Sequence, residues 1–222
     1  MNLRRRELLG LGAVAAAGVG ATAWLRSRPP PPVRLELTPV VATVLDDTGS
    51  PRVGPPDTAG ADADVTVVVF TDYQCPICRT DAPAFARLIA DDPGVRVIFK
   101  DWPVRGEGSR AAARAALAAA VQGRYLAFHQ ALMAAPGRLD AARLPGLAAA
   151  AGLDPQRLAA DQVRDAVAID AQLARHALQA FSLGLKGTPG YIVGPWLYPG
   201  SLAGDRLTQA LARARRSGPL RA

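Results

Sequence analysis

Cysteine is scarce in this sequence. The 222 residues include only two cysteines, Cys75 and Cys78, with two residues between them. Secreted domains that depend on disulfides for stability carry several well-separated cysteines, so this chain is not a disulfide-stapled scaffold. A single close pair is typical instead of two kinds of site, one that exchanges electrons through a disulfide and one that binds a metal.

Aromatic residues and histidines are also few. Aromatics make up 5% of a sequence that is 50% hydrophobic, which predicts a core built mainly from Ala, Leu and Val. The two histidines, His129 and His176, are far apart in the sequence, unlike the closely spaced ligands of structural zinc sites. We expect both to be packed or surface helix residues, and the sequence predicts neither a metal site nor another cofactor. Binding of Cu(I) by the cysteine pair alone stays open, because soft thiolates favour that ion.

The basic residues give little indication of nucleic-acid binding. There are 26 basic and 19 acidic residues, and all but two of the basic ones are arginine. A nucleic-acid surface needs clustered cations with stacking aromatics. Here the clusters are limited to Arg4-Arg5-Arg6 and to three arginines near the C-terminus, Arg213, Arg215 and Arg216. We therefore interpret the excess of basic residues as arginines scattered over the surface, and we expect no nucleic-acid partner.

The N-terminus has the pattern of an export signal. Three arginines are followed by 18 uncharged residues from Leu8 to Leu25, and Arg5-Arg6-x-Leu8-Leu9 resembles a twin-arginine signal. Ala21-Thr22-Ala23 offers a cleavage site, although 18 apolar residues also suffice for an uncleaved anchor. Residues 1–28 are thus predicted to be a signal peptide or an N-terminal membrane anchor. Both place the remaining chain in the periplasm or on the outer face of the cytoplasmic membrane.

Residues 29–60 are predicted to be a proline-rich spacer and a loop. Four prolines at 29–32 favour a stiff extended segment, and Val33–Val44 alternates apolar and polar residues in the manner of an edge strand. Asp46–Asp64 is rich in Gly, Pro, Asp and Ala, which is typical of a loop. The folded domain is expected over 61–216, with a short tail at 217–222.

The first half of that domain reads as strand, helix, strand. Val65–Phe70 is a β-branched run typical of a buried strand, and Val95–Lys100 is a second. The segment between them has helical character and contains Pro83, which predicts a kink. Two strands joined through a helix form a parallel βαβ unit with a right-handed crossover.

The second half begins with a long helical region. Residues 109–183 carry helical patterns divided by Pro-Gly and Asp-Pro breaks, and Gln162–Leu183 is predicted to be one longer helix. Tyr191–Val193 and Trp196–Tyr198 flank a Gly-Pro turn and predict a hairpin, before an amphipathic helix over Asp205–Arg216. The expected fold is α/β, with a helical block inserted between a βαβ half and a hairpin-and-helix half.

The cysteine pair lies where a strand meets a helix. Cys75 is expected at the N-cap and Pro76 at the first helical position, where its missing N–H costs nothing. The free amides and the dipole at that end favour a thiolate, the form that attacks disulfides. Cys78 lies one turn further on, close enough to form a short disulfide. Asp72 and Tyr73, which precede the pair, are predicted to be solvated loop residues.

The order of these features resembles the DsbA family of thioredoxin-fold thiol:disulfide oxidoreductases. The resemblance covers residues 60 to 216 and rests on the Phe70–Cys78 segment, Phe99-Lys100-Asp101-Trp102-Pro103, Tyr125–Met133 and Gly187–Gly194. It implies that Cys75 is the attacking, partly exposed thiol and Cys78 the buried resolving thiol. It also implies that Pro189 is a cis-proline whose loop pairs with substrate, and that Thr188 contacts both the cysteines and the substrate.

Three positions depart from the family pattern. Val69 stands where the family often has a buried glutamate that relays protons, so Lys100 is a candidate for tuning the site. Ile77 replaces the histidine found between the cysteines of the best-known oxidases, which predicts a pKa for Cys75 that is lowered, but less than in those enzymes. Thr188 is typical of isomerases and reductases, whereas strong oxidases often have valine there.

The function predicted from the resemblance is oxidation of exported proteins through a mixed disulfide on Cys75. The expected partners are exported proteins with cysteines and a membrane redox partner that recycles the pair, with a monomeric enzyme. A reductase or isomerase with the same site is the alternative within this class. A non-enzymatic Cu(I)-binding envelope protein is the alternative from another class.

Overall fold

A computed structural model of the chain describes residues 30–54, 63–218 and 220. The predicted leader and part of the predicted loop lie outside these residues. The described residues from Pro31 onward form one compact unit. In chain order its elements are β1 (Val33–Arg34), α1 (Pro39–Leu45), β2 (Arg52–Val53), β3 (Val65–Thr71), α2 (Pro76–Asp91), β4 (Val95–Asp101), α3 (Glu107–Ala119, followed by a 3-10 turn over Ala120–Gln122), α4 (Tyr125–Ala134), α5 (Leu144–Ala150), α6 (Pro155–Arg164), α7 (Ala166–Ser182), β5 (Gly190–Val193), β6 (Trp196–Pro199) and α8 (Asp205–Ser217).

The strands form one mixed sheet in the order β1-β6-β5-β3-β4-β2. β3 and β4 pair in parallel, as a βαβ unit requires, and Thr71 lies beside Asp101. β5 pairs with β3 in the antiparallel direction, with Phe70 opposite Gly190. The predicted α/β fold with its helical block between the two halves is confirmed.

The two faces of the sheet are covered by different helices. Alternate residues of the central strands, such as Val67 and Val97, face a large core that contains the cysteine pair and side chains of α2, α3, α4 and α8. The residues between them, such as Val68 and Ile98, face a smaller core with Val44 of α1 and Ala180 of α7. The insert therefore contributes helices to both sides of the sheet.

Three sequence predictions are corrected at the level of single elements. Only Val33–Arg34 of the predicted edge strand is a strand, because Thr38 caps α1 by accepting a hydrogen bond from the amide of Val41 and proline fills the first helical position. The predicted loop from Asp46 contains β2, which pairs with β4. The expected long helix from Gln162 is divided at Asp165, whose backbone (φ −102°, ψ 15°) is non-helical and whose carboxylate pairs with Arg164.

A buried polar cluster fixes the segment between α1 and β2 against the smaller core. The ammonium of Lys100 donates to Asp47 at 2.9 Å and to Ser50 at 2.8 Å. His176 of α7 lies 3.0 Å from the Ser50 hydroxyl. Burial alone would raise the pKa of Asp47, but the hydrogen bond and charge of Lys100 outweigh it and lower the pKa to about 2. Burial in turn lowers the pKa of Lys100 to about 8.

We predict that Asp47→Asn destabilises the fold because it leaves the buried ammonium of Lys100 without its counter-charge. Removal of one partner of a buried pair costs about 3–5 kcal/mol, and urea unfolding at pH 7 measures it. Because the folded-state pKa of Lys100 is below its ordinary value of 10.5, the folded protein loses that proton first as the pH rises. Removing Asp47 lowers the pKa of Lys100 further, so the deficit of the variant should shrink as the pH rises toward 8 and stay level above it, where Lys100 is neutral in both folded proteins.

Asp170→Asn provides the matched control. Asp170 pairs with Arg114 across the protein surface, at 2.8 Å, with half of its side chain exposed. Exposed pairs contribute about 0–1 kcal/mol, so this substitution should change the free energy of unfolding little at either pH. An equal loss for both variants would contradict the assignment of a buried pair.

Candidate active site

Strand pairing brings the cysteine turn and the loop before β5 together. Because Phe70 lies opposite Gly190, residues just after β3 and just before β5 meet at one edge of the sheet. The Sγ atom of Cys75 lies 3.4 Å from the carbonyl oxygen of Thr188, to which the thiol donates when it is protonated. The peptide bond between Thr188 and Pro189 is cis, as the resemblance implied. The structure thus brings together Cys75, Thr188 and Pro189 from distant parts of the sequence.

Cys75 is the N-cap residue of α2. Its backbone is extended (φ −77°, ψ 118°), Pro76 begins the helix, and the Cys75 carbonyl accepts from the amide of Arg79 at 3.1 Å. The pKa of the Cys75 thiol falls from 9.0 to about 5, chiefly because the Cys78 thiol donates a hydrogen bond to it. Burial opposes this change, and the amides of Cys78 and Ile77 add to it. The lowered pKa expected from sequence is confirmed.

Cys78 has the opposite character. Burial raises the pKa of its thiol well above the ordinary value, and the adjacent Cys75 raises it further. Both residues carry free thiols in this structure. At neutral pH the pair therefore holds one negative charge on Cys75 and one proton on Cys78. Such a pair has a nucleophilic sulfur on the outer turn and a proton-retaining sulfur behind it.

The expected partial exposure of Cys75 is wrong for this structure. Cys75 is 0% exposed and Cys78 is 2% exposed. The N-cap position directs the Cys75 sulfur toward the Thr188 carbonyl rather than toward solvent. The two residues between the cysteines, Pro76 and Ile77, are exposed, so the helix start itself reaches the surface.

Asp72 holds the turn that precedes Cys75. One carboxylate oxygen accepts from the amide of Gln74 at 2.7 Å and from the hydroxyl of Ser109 at 2.6 Å. The other accepts from the amides of Val104 at 2.7 Å and Arg105 at 3.0 Å. The prediction of a solvated loop role is therefore wrong, because Asp72 is 1% exposed and accepts hydrogen bonds from three segments of the chain. An Asp two residues before a turn amide was the available sequence signal.

Tyr73 is also buried, in the larger core that contains the cysteine pair. Its hydroxyl lies 3.0 Å from Nδ1 of His129 and 3.5 Å from the hydroxyl of Tyr125, which donates to Asp101 at 3.0 Å. Burial raises the pKa of Asp101 to about 7 and lowers that of His129 to about 3. Val69 faces this core without a titratable group. The carboxyl group of Asp101, on the adjacent strand, is buried beside Tyr73 and Tyr125.

A further buried carboxylate, that of Asp81, attaches α2 to the loop after β6. Asp81 accepts from the hydroxyl of Tyr191, from the hydroxyl of Ser201 and from the amide of Leu202, each at 2.7 Å. Tyr191 also stacks on Phe85 with ring centroids 4.8 Å apart. These contacts fix the cysteine-bearing helix against β5, whose first residue follows Pro189. Sequence reasoning missed this role of Asp81.

Lys100 is not brought to the cysteines. Strand residues alternate in direction, so Phe99 faces the core that holds Cys75 whereas the Lys100 side chain lies in the polar cluster with Asp47. His176 lies in the same cluster, and His129 lies in the other core.

Among the described residues no group of three or more His, Cys, Asp or Glu is placed to hold a metal ion. No helix in the described part of the chain is long and apolar enough to span a bilayer.

Residues 66–212 match the model of the DSBA-like thioredoxin domain. The chain belongs to that family. A thioredoxin-like oxidoreductase from Silicibacter pomeroyi DSS-3 is 40% identical, with a TM-score of 0.71 over 78% of this chain and 96% of that one. The thiol-disulfide exchange protein alpha-DsbA2 of Wolbachia pipientis is 25% identical, also with a TM-score of 0.71, over 78% and 90%.

A periplasmic thioredoxin-like protein from Salmonella enterica serovar Typhimurium is 28% identical, with a TM-score of 0.66 over 80% of this chain and 96% of that one. The Na(+)/H(+) antiporter NhaA 1 of Salinispora arenicola is 31% identical over 90% of this chain. The chain spans about a third (32%) of the length of that relative. Family membership and the two sulfurs of opposite character identify the DSBA-like domain as a thiol–disulfide oxidoreductase domain.

We predict that the Cys78 thiol sets the pKa of Cys75. Cys78→Ala removes the donor that lowers this pKa most, so the pH midpoint of Cys75 alkylation should rise from about 5. Cys78→Ser retains a hydroxyl donor and should raise the midpoint less. The pH dependence of iodoacetamide labelling, followed by mass spectrometry, measures all three proteins. Midpoints that stay at about 5 in both variants would assign the low pKa to the helix amides instead.

Proposed function

We propose that this protein catalyses thiol–disulfide exchange with exported, cysteine-containing proteins and that it works as an oxidase. The observation that carries the direction is the stabilised thiolate of Cys75, whose pKa is about 5. A stabilised thiolate lowers the free energy of the reduced pair, which makes the disulfide form a stronger oxidant. The chemistry thus favours electron flow from client to enzyme.

The reaction starts from the disulfide between Cys75 and Cys78. A client thiolate attacks the Cys75 sulfur, the bond between the two enzyme sulfurs breaks, and Cys78 leaves and takes up a proton because its pKa is raised by burial. A second client thiolate then attacks the client sulfur of the mixed disulfide and expels Cys75 as thiolate. The client dithiol loses two electrons, and the enzyme pair gains them.

Access to Cys75 requires the loop before β5 to move. The Thr188 carbonyl covers the sulfur, and both cysteines are buried. Gly187 has open space around it, since a Cβ placed there would meet no atom within 4 Å. In the proposed cycle, an extended client segment pairs with the backbone of the Thr188–Pro189 loop and replaces the contact to Cys75.

Export and recycling complete the proposal. The leader pattern of residues 1–28 supports a location in the periplasm or on the outer face of the cytoplasmic membrane, and one similar structure is that of a periplasmic protein. The reduced pair needs an oxidant, for which we propose a membrane redox partner. We propose a monomer as the working state.

A reductase or isomerase with the same site is the second candidate. Thr188 supports it, because threonine before the cis-proline is typical of those enzymes in the resemblance described above. The reduction potential distinguishes the directions. We predict a value near −120 mV, as expected for an oxidase, measured by equilibration with glutathione. A value near −270 mV would assign the protein to the reductases.

Mixed-disulfide trapping tests thiol–disulfide exchange itself. In Cys78→Ser the Cys75 thiolate can still attack a client disulfide and expel one client thiolate, but no Cys78 thiol is present to release the client, so exported proteins should remain covalently attached to Cys75 and separate only on reduction. Cys75→Ser is the matched control and should trap none. A protein that binds one Cu(I) ion but traps no client in either variant would instead be a metal carrier, and the proposed activity would be wrong.

A further inference from the structure

A cavity of about 600 Å³ opens beside the loop that covers Cys75. It is an open surface depression rather than an enclosed ligand pocket. The walls come from the segment after β4, from the end of α7 and from the loop before β5. The side chains and backbone that form it include Trp102, Val104, Arg105, Phe181, Lys186 and Thr188.

One part of the cavity wall is apolar and open to solvent. Phe181 is 63% exposed and Val104 is 45% exposed. Trp102 is buried and contacts Phe181 edge to face, with centroids 5.3 Å apart and planes at 84°. Large apolar side chains that are exposed side by side mark interaction sites more often than isolated ones do.

The other part of the wall is positively charged. Arg105 and Lys186 are both exposed and are the ionisable side chains among those that line the cavity. Neither forms an ion pair within the described residues. Glu107, two residues after Arg105, is exposed but does not line the cavity. The field at this surface therefore favours an acidic ligand.

Two sets of contacts connect the cavity wall to the cysteine turn. Thr188 lines the cavity, and its carbonyl contacts Cys75. On the other side, the Asp72 carboxylate holds the amides of Val104 and Arg105 and also that of Gln74, which precedes Cys75. An extended chain advances about 3.3 Å per residue. In the proposed function, a client segment that pairs with the Thr188 loop while its cysteine is at Cys75 lies beside this cavity, within a few residues of that cysteine.

We infer that the cavity selects clients in which an acidic residue and an apolar or aromatic residue flank the reacting cysteine. The aromatic residue packs on Phe181 and Val104, and the carboxylate faces Arg105 and Lys186. The inference rests on the proposed function, since it concerns the segment of a client held in mixed disulfide with Cys75. The preference for acidic and apolar neighbours of the client cysteine follows from the side chains that line the cavity.

Four peptides test the preference. Each carries one cysteine as a mixed disulfide with thionitrobenzoate, and Glu-Phe, Gln-Phe, Lys-Phe or Glu-Ser is placed next to that cysteine on either side in turn. The Cys75 thiolate of the Cys78→Ser variant attacks the peptide sulfur, the disulfide breaks, and coloured thionitrobenzoate leaves. Each rate is divided by that of the same peptide with reduced glutathione, which removes the effect of peptide charge on the sulfur itself.

We predict that the Glu-Phe peptide reacts about fivefold faster than Gln-Phe, as expected for a partly solvated ion pair. The Lys-Phe peptide should be the slowest of these three. Adding about 0.5 M salt should remove most of the rate difference between these peptides, because the Debye length then falls to a few Å and the exposed charges are screened. Replacing Phe with Ser in the peptide, or Phe181→Ser in the enzyme, should remove the apolar contribution.

Charge reversal supplies the decisive variants. Arg105→Glu with Lys186→Glu should make Lys-Phe faster than Glu-Phe, and the single Arg105→Gln and Lys186→Gln variants should each reduce the preference. Arg216→Glu, an exposed arginine of α8 outside the cavity wall, is the control and should retain the original order. Thermal unfolding of every variant establishes that it is folded.

The two possible failures are distinguishable. If all peptides form mixed disulfides at equal normalised rates, the inference is overturned and the proposed exchange activity stands. If Cys75 reacts with none of them faster than glutathione does, the proposed activity itself fails. An order that persists after charge reversal would also overturn the inference, because it would show that the cations do not set the preference.

Discussion

The antiparallel pairing of β3 with β5 is the constraint on which the site depends. It sets the end of one strand beside the start of the other, so the turn after Thr71 and the loop before Gly190 must meet. The parallel partner β4 ends at the same edge and adds the segment from Trp102 to Arg105. Backbone pairing thus brings three segments that are distant in sequence to one edge of the sheet, and the Asp72 side chain ties two of them together.

The two thiols differ in pKa because they lie at different positions in α2. Cys75 caps α2 and receives a hydrogen bond from Cys78 together with two helix amides, whereas Cys78 lies inside the first turn and is buried. The charge and the proton are thus assigned to different atoms without any other ionised side chain in contact. This arrangement explains how the pair stays asymmetric although Val69 and Ile77 supply none of the polar groups expected from the family pattern.

Local patterns sufficed for much of the fold and for the core of the site. The β-branched run of β3, the Cys-Pro start of α2 and the turn between β5 and β6 are encoded by neighbouring residues, and each was predicted. The burial of Asp72, the pairing of Lys100 with Asp47 and the covering of Cys75 depend on segments that are far apart in sequence. A single sequence contains no local signal for such contacts, and Lys100 shows how alternation along a strand reverses the direction in which a side chain points.

The cover that Thr188 places over Cys75 also bears on chemical damage. Oxidation to sulfenic acid and then irreversibly to sulfinic acid follows both thiolate character and exposure. Cys75 is anionic at neutral pH yet has no exposed surface. The sulfur with the greater tendency to oxidise is therefore the one that the Thr188 segment shields from dissolved peroxide.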